Sequence, residues 1–124
     1  MTTDPVDPTG ADLKRYLQED QGGPVVMLNL LRFRPDGGRE RYQEYVEALR
    51  RAGSYSAEPL YFGSGGRALE AEECQEWDAV ALVRYPSRQA FAEMIRSPEY
   101  RSIKHLRSEA LSEAVLQPTV SLLG

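Results

Sequence analysis

At 124 residues, with 41% apolar and 27% charged residues, the chain is expected to form one soluble domain needing no disulfide or metal staple. Its single cysteine excludes an intrachain disulfide and a cysteine-based metal site, and its net charge of −4 argues against nucleic acid or an anionic membrane as partner. No stretch approaches the roughly 18 apolar residues of a membrane span, and the first twenty residues lack the features of an ordinary signal peptide, so the expected compartment is the cytoplasm.

Residues 1–9, with Pro5 and Pro8 among polar neighbours, read as a loose arm. Thr9 is an N-cap for a short helix over residues 11–19, whose Leu13, Tyr16 and Leu17 form one stripe. This arm and helix, residues 1–23, precede a main domain over 24–124. Gly22-Gly23-Pro24 ends the helix, and a strand is expected over 25–34. Its run Val25-Val26-Met27-Leu28-Asn29-Leu30-Leu31 does not alternate. Successive strand side chains point to opposite faces, so both faces are apolar here and both must be kept from water. Pro35-Asp36-Gly37-Gly38 is a turn.

Tyr42, Tyr45, Val46 and Leu49 then recur at helical spacing over 39–52, with charged residues on the other sides and Gly53 as the stop. Two apolar runs, 59–69 and 77–85, flank the acidic stretch 70–76 and read as a hairpin. Gly63-Ser64-Gly65-Gly66 reads as a bulge or bend in a long strand; a phosphate loop would need a helix directly after it. Ser87 caps a helix carrying Phe91, Met94 and Ile95, and Ser97-Pro98-Glu99 restarts it to present Tyr100, Ile103 and Leu106 or Arg107. A last strand is expected over 115–122.

After the first helix the order is β-α-β-β-α-β. That predicts an α+β, ferredoxin-like sandwich: a four-stranded antiparallel sheet with helices on one face, plus an extra N-terminal helix. The other face is bare in a single chain. Because the first strand and Ala79-Val80-Ala81-Leu82-Val83 are apolar on both faces, a second copy is expected to cover it. The result is a C2 homodimer with an interface on the order of 2,000 Å² or more.

Several stretches carry a resemblance as well. Trp77-Asp78, Arg84-Tyr85-Pro86-Ser87, Ala90-Phe91, Met94, Ser97-Pro98-Glu99-Tyr100 and His105-Leu106-Arg107 resemble a bacterial family of domains of unknown function in the dimeric α/β-barrel superfamily. The resemblance spans residues 24–120 and leaves the first helix outside. It implies the same fold and a dimeric barrel. Superfamily relatives include cofactor-free antibiotic-biosynthesis monooxygenases, muconolactone isomerases, haem-degrading enzymes and dye peroxidases, so it implies a fold far better than a function.

Asn29 is the sharpest candidate for chemistry, because an amide in an apolar strand costs about 1–3 kcal/mol when unsatisfied. It either orients a ligand in a cavity or is satisfied by its own surroundings. His105 is the one side chain whose ordinary pKa lies near neutrality, hence the candidate general base, although an exposed or capping role suits its position at the edge of its helix stripe. Arg84 joins Asn29 as a candidate for polarising an oxyanion. Arg32, Arg84 and Arg107 form a candidate set for a carboxylate or enolate. Arg32 and Arg84 close the first and third strands, which places them near each other, with salt bridges at element ends as the structural alternative. Tyr42, Tyr45, Tyr61 and Trp77 are candidates for holding an aromatic ring, although helix-spaced tyrosines such as Tyr42 and Tyr45 are more often core. Cys74, among four glutamates, is a weak nucleophile, and one histidine makes no metal site. No cofactor is expected. The function expected is binding of a small aromatic or carboxylate-bearing molecule in each subunit, with cofactor-free oxygenation or isomerisation; the alternative is a non-catalytic binding or regulatory module.

Overall fold

The chain runs α1 (Gly10–Gln18), β1 (Val25–Phe33), α2 (Gly38–Ala52), β2 (Glu58–Ser64), β3 (Ala79–Tyr85), α3 (Arg88–Arg96), α4 (Pro98–Ala110) and β4 (Leu111–Thr119). A computed structural model of the protein describes residues 8–53 and 56–123, so most of the expected N-terminal arm lies outside the described residues. The sheet order is β2-β3-β1-β4 with every pair antiparallel, which is the ferredoxin-like arrangement. Among the described residues, no helix is long and apolar enough to cross a membrane.

Three strands differ from their expected spans. The hairpin strands are short: β2 ends at Ser64 and β3 begins at Ala79, leaving 65–78 as a loop. The Gly65 amide closes this loop by donating to the Asp78 carbonyl at 2.8 Å. Strand therefore does not continue past Gly63-Ser64-Gly65-Gly66, and the register irregularity of β2 falls between Pro59 and Tyr61 instead. Proline lacks the amide hydrogen a regular ladder uses. The last strand begins four residues early, at Leu111, directly from the end of α4. Ser112 and Glu113, which follow the buried Leu111, are exposed and polar, which hid this stretch from a hydrophobic pattern.

Strand parity divides the sheet into two faces. Val25, Met27 and Leu31 of β1 are 3%, 2% and 0% exposed and join Ala79, Ala81 and Tyr85 of β3 under the helices. Above them pack Tyr42 and Tyr45 of α2, Phe91 and Met94 of α3, and Tyr100 and Ala110 of α4. Val26, Leu28 and Leu30, with Val80 and Leu82, point the other way and stay half-exposed on the open face. Ion pairs occupy two corners of that face: Arg84 with Glu58 at 3.6 Å and Arg32 with Glu113 at 2.7 Å.

The junction of α2, β1 and α4 requires glycine. A Cβ on Gly38 would stand 2.5 Å from the Ala110 carbonyl oxygen and 3.1 Å from Phe33, so a side chain there would push the helices apart. On the other flank α1 buries Leu13, and Arg88 holds the helix in place. Its guanidinium donates to the Tyr16 carbonyl at 2.7 Å, lies 4.4 Å over the Tyr16 ring and stands 3.6 Å from Asp20. At the ends of β1 the Asp78 carboxylate accepts the Phe33 amide at 2.9 Å, and the Asp78 amide donates to the Leu31 carbonyl at 2.9 Å. The Thr119 hydroxyl donates to the Val26 carbonyl at 2.7 Å.

Candidate functional site

A cavity of about 380 Å³ lies between the sheet and the helices. Its floor is made by two cross-strand rows of the sheet and its roof by α2, α3 and α4. Val46, Arg50, Gly53, Pro59, Tyr61 and Phe62 are its exposed lining residues, so the mouth opens between the C-terminal half of α2 and the edge strand β2. β2 is exposed at every position but Gly63, because no helix extends over that edge. The opposite wall is buried.

Polar groups on that buried wall come from helical spacing. Tyr100 and Arg107 are seven residues apart on α4, two turns along one face, and Tyr42 and Tyr45 are three apart on α2. Helix packing brings the two pairs together. The Tyr45 and Tyr100 hydroxyls are 3.0 Å apart, and the Tyr42 and Tyr45 rings are 5.3 Å centroid to centroid. Arg107 is 4% exposed and hydrogen-bonds with Tyr42. The Tyr85 hydroxyl donates to the Met94 sulfur at 3.5 Å, a soft and weak acceptor.

Burial fixes the protonation of these groups. It raises the Tyr42 pKa above the ordinary value, against the opposing charge and hydrogen bond of Arg107. Burial, reinforced by Tyr100 and Tyr42, holds Tyr45 well above that value, and burial likewise raises Tyr85. The tyrosines therefore remain neutral hydroxyls at neutral and mildly alkaline pH, while the guanidinium keeps its charge. This wall offers hydrogen-bond donors to an oxygen bearing negative charge.

Five of the sequence candidates line the cavity: Asn29, Tyr42, Tyr45, Tyr61 and Arg107. Asn29 is half-buried on the helix-covered face, and its Nδ2 donates to the Met27 carbonyl of its own strand at 3.4 Å. The other four stand elsewhere. Arg84 is on the open face, opposite Val26 and Glu58. His105 is exposed on α4. Asn29, Arg84 and His105 thus occupy three environments and are not assembled within one protomer.

Arg32 and Arg84 are not neighbours either, a correction with a simple cause. β1 and β3 are antiparallel, so residues that close both strands lie at opposite ends of the sheet. Arg32 is instead the anchor of the 65–78 loop. Its guanidinium lies 4.4 Å over the Trp77 ring and donates to the Glu76 and Cys74 carbonyls at 2.6 and 3.2 Å. Trp77 is consequently a partner of Arg32, outside the cavity lining. Tyr85 and Ala81 are lining residues that sequence reasoning did not single out. Strand parity carried the signal, since both share the parity of Asn29's partners across the β1–β3 ladder.

The model of the family described as Domain of unknown function (DUF1330) matches residues 37–117. The chain belongs to this family. A DUF1330 chain of this kind is similar over its whole length to the RPA0582 protein of unknown function from Rhodopseudomonas palustris. Identity is 31% over 97% of this chain and 98% of that one, with a TM-score of 0.82. Fold similarity extends further, to a dimeric ferredoxin-like protein of unknown function from Thermobifida fusca, at 14% identity, 82% and 93% coverage and a TM-score of 0.56. It also reaches a candidate antibiotic biosynthesis monooxygenase from Bacteroides thetaiotaomicron, at 18% identity, 80% and 90% coverage and a TM-score of 0.56. No curated protein matches.

Proposed function

We propose that this DUF1330 protein is a cytoplasmic homodimer in which each subunit binds a small aromatic or carboxylate-bearing molecule between sheet and helices. One observation carries the reading. A buried arginine and a cluster of protonated tyrosine hydroxyls converge on one wall of an otherwise apolar cavity. Apolar walls with a few convergent polar groups are the usual make-up of a small-molecule site. Arg107 and Tyr42 supply charge-assisted and neutral donors to a carboxylate or enolate oxygen, Tyr45 and Asn29 extend that wall, and Tyr61 and Phe62 frame the entrance.

Such a wall stabilises negative charge that is already present or developing. Cofactor-free oxygenation or isomerisation of an enolisable ligand is the reaction class it serves. The sole histidine lies outside the cavity, which favours a ligand that ionises readily over one needing a protein base. The same observation supports the second reading, a binding or regulatory module without catalysis. The half-exposed apolar face of β1 and β3, neutralised at its corners by internal ion pairs, supports self-association, as does the fold likeness to a dimeric protein.

Thermal-shift titration with benzoate and the neutral benzamide tests the binding reading. Benzoate is expected to raise the unfolding midpoint and benzamide to leave it unchanged. Arg107→Met is expected to lose the response to benzoate. Equal responses to acid and amide, or a full benzoate response in Arg107→Met, would overturn the reading.

A further inference from the structure

Four lining residues stand in one row across the covered face: Leu116 on β4, Asn29 on β1, Ala81 on β3 and Phe62 on β2. The flanking members are long; Ala81 contributes a single methyl. Neighbouring strands lie about 4.8 Å apart, so Asn29 and Phe62 flank a gap of roughly 10 Å, backbone to backbone, with only that methyl on its floor. Tyr42 roofs the gap, its ring 6.0 Å from that of Phe62. The adjoining row, Ala114, Leu31, Ala79 and Ser64, contributes nothing to the lining, so the gap is closed at that end. The Asn29 amide beside it makes a 3.4 Å bond within its own strand, long for an N–H···O contact and readily exchanged for a better one.

We propose that the gap above Ala81 is a subsite for a single planar ring bearing an oxygen substituent, with Ala81 setting the room available and Asn29 hydrogen-bonding the substituent. The inference rests on the cavity being a ligand site and adds which part of the ligand lies where. The ring lies against Phe62 under Tyr42, in the offset or edge-on contacts aromatic pairs favour. An asparagine amide accepts from a phenol and donates to a ketone, so both oxygen types fit. A larger side chain at position 81 projects from the covered face into the space the ring would occupy.

Calorimetric titration of wild type, Ala81→Ile and Asn29→Leu with benzoate and the three monohydroxybenzoates tests this. At least one hydroxybenzoate is expected to bind wild type about ten-fold more tightly than benzoate, the effect of one well-made polar contact. Asn29→Leu is expected to lose that preference, binding the hydroxybenzoates no more tightly than it binds benzoate. Ala81→Ile is expected to weaken all four ligands by about ten-fold or more, with an unfolding midpoint no lower than wild type. If isoleucine disrupts folding, Ala81→Val serves the same purpose with a smaller increment. Wild-type affinity in the folded position-81 variant, no hydroxyl preference in wild type, or a preference that survives in Asn29→Leu would each overturn the subsite. A wild type that binds none of the four removes the cavity reading along with it; one that binds but ignores position 81 removes the subsite alone.

Discussion

The two faces of β1 are built from nearly the same side chains and meet different surroundings. Val25, Met27 and Leu31 lie under three helices, whereas Val26, Leu28 and Leu30 lie on a sheet face that none of the described helices covers. Apolar content therefore does not distinguish the faces. The partners do: buried tyrosines, Arg107 and Asn29 belong to the covered face, while the open face keeps its charges at the corners and already paired. On the function proposed above, ligand chemistry falls to the first and self-association to the second.

The sharpest way to break this comparison is to truncate one residue on each face. Leu31→Ala, at a position with 0% exposure, is expected to destabilise by about 2–5 kcal/mol in denaturant unfolding, the range for a core cavity. Leu28→Ala, measured at dilutions where the chain is monomeric, is expected to cost less than half as much. Equal losses would mean that the open face is packed within the monomer. Gly38→Ala comes next, at about 1–3 kcal/mol, because its Cβ meets the Ala110 carbonyl and the helix-covered face must give way.

Leu28→Glu sharpens the comparison from the other side. It is expected to give a folded monomer by sedimentation equilibrium at micromolar concentration, where wild type is expected to sediment as a dimer. A variant that stays dimeric would place the interface elsewhere.

Alkaline pH separates the faces by chemistry. Tyr42, Tyr45 and Tyr85 have pKa values raised by burial above the ordinary 10.0, so they stay protonated when folded and ionise first in the unfolded chain. Their contribution to stability is fully present below about pH 10 and is lost above it, by up to about 1.4 kcal/mol per pH unit for each tyrosine. The double variant Tyr45→Phe, Tyr85→Phe should flatten the slope between pH 10 and 11, read from urea midpoints. The smallest effect expected is at an open-face corner. Glu113→Gln should change stability by no more than about 1 kcal/mol, since its ion pair with Arg32 is partly solvated.

Much of this fold was legible from letter spacing. The tyrosines and leucine of α2, the Ser97-Pro98 restart that separates α3 from α4, and the two-sided apolar run of β1 gave the order and the open face. The cavity was legible only in part. Asn29 stood out because a polar side chain among apolar neighbours needs a reason, and Arg107 shares a helical stripe with Tyr100. Arg32 and Arg84 misled because both close their strands, and antiparallel pairing sets the closing ends of neighbouring strands at opposite edges of the sheet. Strand parity put Ala81 on the face of Asn29 but did not mark it as a site, because the room a small residue leaves depends on the neighbours that register brings beside it.

β1 also poses a question of fidelity. In an alternating strand, slipping the ladder by one residue would turn every apolar side chain to water and be rejected at once. Here a slip would exchange one greasy set for another, and the hydrophobic effect would barely object. The alignment must be written in polar ink at the strand ends: Asp78 bracketing Leu31 and Phe33 at one end, and Thr119 on the Val26 carbonyl at the other. Removing those few bonds would threaten the uniqueness of the folded state more than its depth.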